Sequence, residues 1–370
     1  MKLTINDSIS KISVEDWQHL NSSNSPFLDD QYFRALEQSG SVGGNSGWVP
    51  HHVMFEQDDE LLGVLPSYVK SHSWGEFVFD WNWAQAFEQH GVAYYPKLVS
   101  TIPFTPISST KLLSNTLKQD AVVDQMIEHC NAQSFNSWHL LFCRKMEVTR
   151  DDVFERHTVQ FHWFNRDYRD FEHFLSGFVA RKRKNVRKER SSIATQGLEI
   201  RRFSASEIGE VELDFFYRCY QQSYFKRDHT PHLSKAFFAQ IFNGLADNIL
   251  LIIASHQQQY VASALFLFDD AQLFGRYWGC VEEFNNLHFE LCYYQGIEFC
   301  IAQGLQSFNP GAQGEHKIKR GFEPVLTYSY HWVKEPAFRS AIEDFCQRER
   351  QHLQVYFEQC QQALPFKSNA

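Results

Sequence analysis

Apolar positions along this chain recur at two spacings, and each change of spacing predicts a new element. In the first half, HHVMFEQ (51–57) and LLGVLPSYVK (61–70) predict consecutive strands parted by the turn residues Asp58 and Asp59. Residues 25–41 open on Pro26 and predict a short amphipathic helix, with Phe33 and Leu36 inward and Gly40 at its end. The stretch 71–91 predicts a strand running into a helix that stops at Gly91. Pro96, Pro103 and Pro106 break 94–108, which is therefore extended but not a regular central strand throughout. A helix is expected over 115–131 and a buried strand over 138–143.

In the second half one long helix is expected over 171–197, ended by Gly197, with Phe171, Phe178, Lys182, Val186 and Ile193 near one stripe. A strand (198–203) follows, then Ser204 and Glu207 at capping-box spacing before a helix. A further helix (234–245) leads into three strands in quick succession, 248–255, 260–268 and 272–280. Next come a helix over 287–304, a strand over 325–332, and a terminal helix from Pro336 with Phe338, Ile342, Phe345, Leu353 and Tyr356 on one face. Strands interleaved with helices predict a layered α/β or α+β fold, not an all-α bundle.

A length of 370 residues suits two domains, each with its own core. The expected division is 1–165, then 166–335 entered through the helix 171–197, then a C-terminal helix over 336–370 that packs back on the domains. The formal net charge of −9 argues against general nucleic-acid affinity. RKRKNVRKER (181–190) is the exception: seven cations and one anion give it +6, leaving −15 on the rest of the chain. Arg181, Lys182, Arg183, Lys184, Arg187 and Lys188 are candidates to meet an anion or a tRNA backbone, the plain alternative being a solvated helix face. No stretch approaches the roughly 20 apolar residues of a membrane span. The first ten residues lack the apolar core of a signal peptide. Eight cysteines without a C-x-x-C pair predict reduced, mostly buried thiols and a cytoplasmic protein.

The densest polar chemistry lies in NPGAQGEHKIKRGFEP (309–324). Gly311 and Gly314 permit backbone conformations that a side chain forbids, and successive N–H groups in such a turn form an anion-binding nest. Asn309, Gln313, Glu315, His316 and Lys317 add amides, an acid, a general base and a cation. The alternative is a strand-to-helix turn with solvated charges. No G-x-x-x-x-G-K-S/T spacing is present, so nucleotide hydrolysis is not indicated. Glu290 and His288 are further candidate bases, although Glu290 also suits an ordinary charge in a first helical turn. Arg276 and Lys97 are candidate grips on a phosphate or carboxylate, and Trp81, at strand-like spacing with Trp83, is a candidate stacking surface for a sugar or base. Neither H-E-x-x-H nor a Cys/His cluster occurs, so no metal site is expected. No Cys or Ser has a context that argues for a covalent intermediate.

Six stretches carry a family resemblance: PFLDDQYFRALEQSGSV (26–42), LPSYVKSHSWGEFVFDWNWAQAFEQHG (65–91), YYPKLVSTIPFTP (94–106), GRYWGC (275–280), LHFELCYYQGIE (287–298) and NPGAQGEHKIKRGFEP (309–324). They resemble the FemAB-like N-acyltransferases of peptidoglycan biosynthesis or recognition. The resemblance implies two tandem GNAT-like domains, and the second half has the matching order of strand, two helices, three antiparallel strands, helix, strand, short helix and strand. It implies transfer of an acyl or aminoacyl group from aminoacyl-tRNA or acyl-CoA to a small-molecule or peptide amine, such as a cell-wall precursor, with no permanently bound cofactor. In that layout a splayed strand presents N–H groups near Trp278 to Cys280 to the acyl carbonyl, above a cleft floored by Arg276, Trp278 and the 309–317 turn. Acyl-CoA is disfavoured in the second domain. Where GNAT enzymes carry a Q/R-x-x-G-x-G/A loop this chain reads VEEFNNLHFE (281–290), without glycine and with Glu282 and Glu283 set to repel a pyrophosphate. Two other classes compete: a non-catalytic module that recognises a peptidoglycan precursor or peptide, and an RNA-binding protein acting through 181–190.

Overall fold

The apolar runs of the first half fold as strands β1 (Lys2–Asn6), β2 (Trp48–Pro50), β3 (His52–Gln57), β4 (Glu60–Leu65), β5 (Ser67–Lys70), β6 (Lys97–Ser100) and β7 (Ser137–Cys143). After them come β8 (Val153–Phe164), β9 (Leu198–Ser204), β10 (Ile249–His256), β11 (Gln259–Phe268), β12 (Gln272–Cys280), β13 (Ser307–Asn309) and β14 (Glu323–Val333). This computed structural model describes residues 1–367 with the exception of Gln313. The chain divides into two units. Unit 1 comprises Met1–Ser23, Phe27–Val159 and Leu326–Tyr356; unit 2 comprises Asn24–Pro26, Gln160–Val325 and the chain from Phe357 onward. The division falls inside β8, inside β14 and inside the terminal helix Pro336–Gln362.

In unit 1, β1, β3 and β4 form one antiparallel sheet. A second sheet has the order β2-β5-β6-β7-β14, antiparallel except for β6 beside β7. Every residue of β7 is buried, which is why its sequence after Ser137 is an apolar run broken only by His139. Phe55, Leu98, Trp138, Leu140, Tyr330 and Trp332 pack there against Met126 and Ile127 of the helix Val123–Ala132. The helix expected from Pro26 begins later, at Asp30, where the Asp29 side chain caps the N–H of Gln31. Residues 71–80 are not the expected strand. Gly75 and Phe77 have φ of +82° and +60°, which breaks any ladder, and the helix Trp81–Gln89 follows. Trp81 and Trp83 are therefore helical residues, with Trp83 buried and Trp81 exposed. The twelve-residue β8 was not expected, because Glu155, Arg156 and His157 interrupt its apolar alternation.

Unit 2 has the order β8-β13-β12-β11-β10-β9, with all neighbours antiparallel except β12 and β13. The long helix expected over 171–197 is two, Phe171–Ser176 and Ala180–Thr195. They part because Phe178 packs on the Phe366 ring, 5.2 Å between centroids, and the N–H of Val179 donates to the Pro365 carbonyl at 2.9 Å. Helix Glu210–Phe225 presses on β12 so closely that a Cβ on Gly279 would stand 2.0 Å from the Cys219 carbonyl oxygen. The helix expected over 287–304 begins as one α-helical turn (Leu287–Phe289), widens into a π-helical turn (Glu290–Tyr294) and continues as α-helix (Gln295–Gln303). Such turns re-aim side chains and are frequent at functional sites.

Candidate active site

β12 and β13 pair only over Gln272–Phe274 and Ser307–Asn309. From Gly275 to Cys280, β12 keeps β11 as its strand partner while its other edge carries no strand among the described residues. Two glycines sit where the strands part. A Cβ on Gly275 would lie 3.2 Å from Pro310 Cα, and one on Gly311, at φ +91°, would lie 3.2 Å from the Gly275 carbonyl. Arg276 is the extra residue of a bulge, between Gly275 opposite Phe266 and Tyr277 opposite Leu265.

The turn beyond β13 is held from within. Asn309 accepts from the Gly311 N–H at 2.9 Å and donates to Gln160 Oε1 at 3.2 Å. The buried Lys317 donates from Nζ to the carbonyls of Gly311 and Ala312, at 2.7 and 3.4 Å. Burial brings its amine down to about 7. Gly314, at φ +107°, starts the 3-10 helix Glu315–Arg320, and a Cβ there would fall 2.7 Å from the His316 ring. Glycine at 314 thus makes room for the imidazole. Nε2 of His316 lies 2.7 Å from the Tyr293 hydroxyl, which the π-helical turn supplies.

Burial, then the charges of Arg320 and Lys317, lower the pKa of His316, so its ring is neutral at pH 7 while the residue stays exposed. Burial raises the Tyr293 hydroxyl, which stays protonated. The His288 ring stands 5.9 Å from that of His316 and 5.2 Å from that of Trp278, and burial lowers it to about 4. His288 and Trp278 line a pocket of about 330 Å³ with Ser223, Lys226, Cys280 and Glu283. The cluster thus combines neutral bases, a restrained lysine and an open strand edge, the parts that acyl transfer to an amine requires.

The basic helix Ala180–Thr195 is partly spoken for. Arg190 binds Glu290 through Nε and Nη2, at 3.1 and 2.8 Å, and Glu298 at 2.6 Å. Gln295 donates to the same Glu290 carboxylate at 2.8 Å, so both of its oxygens are engaged and 3% of the residue is exposed. That arrangement makes Glu290 a counter-ion to Arg190. Arg187 pairs with Glu172, and Arg183 donates weakly to the Ser176 and Phe178 carbonyls, both at 3.4 Å. Arg181 and Lys182 instead join Asn185, Glu189, Lys319 and Arg320 around a recess of about 320 Å³. Arg320 lies across it, paired with Glu189 at 2.8 Å and donating to the His316 carbonyl at 2.7 Å. The basic run and the 309–324 turn therefore share one cationic recess. Lys184 and Lys188 are on the same helix and do not line it.

Residues 8–368 match the FemAB-like family, described as peptidoglycan biosynthesis/recognition. The chain belongs to the FemAB-like family. Among solved structures it is similar to the C-terminal domain of an Agrobacterium fabrum protein assigned as a lysylphosphatidylglycerol synthetase, at 10% identity and a TM-score of 0.56, covering 92% of this chain and 97% of that one. It is also similar to FemX, at 12% identity and 0.50, covering 93% and 100%. A tandem GNAT protein from the clavulanic acid biosynthesis pathway matches at 8% and 0.46, covering 90% and 99%. At these identities the likeness is one of fold alone, mixed α/β. No curated protein of known function matches. Among the described residues no helix is long and apolar enough to cross a membrane.

Within this FemAB-like chain, unit 2 brings together Arg276, Trp278, His288, Asn309, Gly311, Gly314, His316 and Lys317. Glu315 is exposed at the start of the 3-10 helix, and Gln313 lies outside the described residues. Lys97 and Trp81 belong to unit 1. Lys97 is fully buried and its ammonium is already bound to Ser73, Glu76 and Asp80, which does not fit the expected grip on an external anion. Tyr293, Arg320 and Glu189 were absent from the expected site. The doublet Tyr293–Tyr294 on an apolar helix reads as core, and only the π-helical turn sends its first hydroxyl to His316.

Proposed function

We propose that this FemAB-like protein is an N-acyltransferase that moves an acyl or aminoacyl group from an activated donor to an amine. The observation that carries this reading is His316, an exposed neutral imidazole held by Tyr293 in the turn beyond β13, where that strand parts from β12. With its Nε2–H donated to the phenol oxygen, Nδ1 presents a lone pair. The amine nitrogen attacks the carbonyl carbon of the donor ester or thioester, and its proton passes to Nδ1. The C–O or C–S bond then breaks, and His316 returns the proton to the leaving alkoxide or thiolate. Backbone N–H groups of β12 around Trp278–Cys280 face the developing oxyanion. Lys317 and Asn309 hold the turn in shape for this step.

Aminoacyl-tRNA is the donor we favour over acyl-CoA. The recess of Arg181, Lys182, Lys319 and Arg320 supplies cations for a phosphate backbone, whereas Glu282 and Glu283 line the pocket at the end of β12. The acceptor is an amine on a cell-wall precursor or peptide, and the reaction is cytoplasmic, where charged tRNA is found. Purified protein given aminoacyl-tRNA or acyl-CoA is expected to release the deacylated donor only when a muropeptide or peptide amine is supplied. Amine-independent release, or no release with any donor, rules the reading out.

A further inference from the structure

Four of the five exposed Phe, Tyr or Trp side chains among the described residues fall within eight positions of unit 1: Trp74, Phe77, Phe79 and Trp81. They belong to the irregular strap 71–80 and the first residue of the helix after it. Such a concentration of exposed aromatic surface, on a chain that buries six of its other seven tryptophans, marks a contact surface.

The strap is rigid because its alternate side chains point inward to one ammonium. Lys97 Nζ donates to Ser73 Oγ and Glu76 Oε2, both at 2.8 Å, and to Asp80. The Tyr94 hydroxyl donates to Asp80 at 2.5 Å, Tyr95 and Ser73 hydroxyls lie 2.8 Å apart, and Lys70 Nζ donates to the Trp74 carbonyl at 3.1 Å. Gly75 is pressed on Phe104, where a Cβ would come within 2.6 Å of the ring. The rings outside are thus preorganised, which lowers the ordering cost of binding.

Over 71–85 the exposed polar side chains are uncharged. Both acids of the strap are buried on Lys97, and the exposed polar neighbours are Ser71, Asn82 and Gln85. Asn82 and Gln85 stand three residues apart on the helix, hence side by side. Trp74 and Trp81 meet at 60° with centroids 5.0 Å apart, and half of Trp74 is exposed. A nucleobase arrives with phosphates, and a lipid surface with phosphate head groups; neither finds an exposed cation over 71–85. A neutral pyranose fits all of these features: its C–H face covers an indole, its edge meets the second indole, and its hydroxyls reach two amides.

We propose that unit 1 carries a glycan-binding platform for a neutral pyranose ring, built from Trp74, Phe79 and Trp81 with Asn82 and Gln85 as hydroxyl partners. It is independent of the acyl-transfer reading, whose residues lie in unit 2. Titration of the full chain with triacetylchitotriose and with cellotriose, followed by tryptophan fluorescence and calorimetry, tests it. At least one sugar is expected to bind saturably, with an affinity insensitive to salt and weakened at least tenfold in Trp74→Ala and in Trp81→Ala. Circular dichroism and melting temperature, expected to stay unchanged in both variants, separate lost contact from lost fold. Absence of saturable binding by either sugar overturns the proposal, as does undiminished binding by the double variant. Trp74-dependent sedimentation with phosphatidylcholine vesicles, or a Trp74-dependent dimer, in place of sugar binding also overturns it.

Discussion

Nδ1 of His139 lies 2.7 Å from Nδ1 of His331, both rings wholly buried in unit 1. One imidazole must donate and the other accept, so the pair holds one proton between these atoms, and a second would set two N–H donors against each other. Burial, with Lys97 and Arg156 nearby, lowers His139 to about 3 and His331 well below its usual value. Burial also lowers His162 to about 3 and His51 to about 4. The sign follows from proton counting: an unfolded chain takes up protons near pH 6.5 that the folded chain refuses. The share of stability carried by these histidines is therefore full above pH 6.5 and falls as pH drops toward 4, by up to about 1.4 kcal/mol per pH unit for each group. Glu76, raised by burial, works in the opposite direction and is outnumbered. Urea midpoints should be lower at pH 5 than at pH 7.5, and less so in His331→Leu. Equal midpoints would contradict buried neutral histidines.

Lys97→Met should destabilise the protein by roughly 3–5 kcal/mol, because Glu76 and Asp80 remain buried without their cation. Adding Glu76→Gln and Asp80→Asn removes the stranded charges and should recover part of that loss. The comparison is made by urea unfolding at pH 7.5. A Lys97→Met protein as stable as the parent would mean that the strap is not held by this ammonium.

The element order of unit 2 was legible because β10, β11 and β12 are long apolar runs, and because glycines sit at the helix ends. Gly304, at φ +70°, stands where the pattern stopped. The 309–324 turn was legible for a related reason: Gly311 and Gly314 mark positions that no side chain could occupy. What could not be read depends on distant partners. Lys97 looks like a surface lysine until Glu76 and Asp80, 21 and 17 residues away, are brought onto it. Glu290 looks like a base until Arg190, 100 residues earlier, takes both its oxygens. The break at Gly177–Val179 comes from Pro365 and Phe366, which helical periodicity over 171–197 does not register.

Gly279→Ala should cost at least roughly 1–3 kcal/mol, since the new methyl meets the Cys219 carbonyl and the neighbouring backbone has no flexible side chain to yield. Gly177→Ala is the matched control. Its φ is −70° and the nearest atom to a new Cβ is 3.5 Å away, so the cost should stay within about 0.5 kcal/mol. Thermal melts of the two variants side by side decide it, and equal melting temperatures would mean that helix Glu210–Phe225 can move off β12.

Glu290→Gln and His316→Ala separate a counter-ion from a base. Gln at 290 keeps the shape but weakens the contact to Arg190, whose other partner Glu298 remains. A stability loss of roughly 1–3 kcal/mol is expected, with turnover of the folded fraction retained. His316 is exposed and touches Tyr293 through one ring nitrogen, so His316→Ala should leave the melting temperature nearly unchanged. Its deacylation of the donor should fall by about 100-fold or more, the range for a positioned base. Tyr293→Phe should lie between, because the imidazole stays while its tautomer is no longer held. Measured at saturating donor and amine, the loss should appear in kcat. If Glu290→Gln abolishes turnover without loss of stability while His316→Ala retains it, the roles assigned to the two residues are reversed.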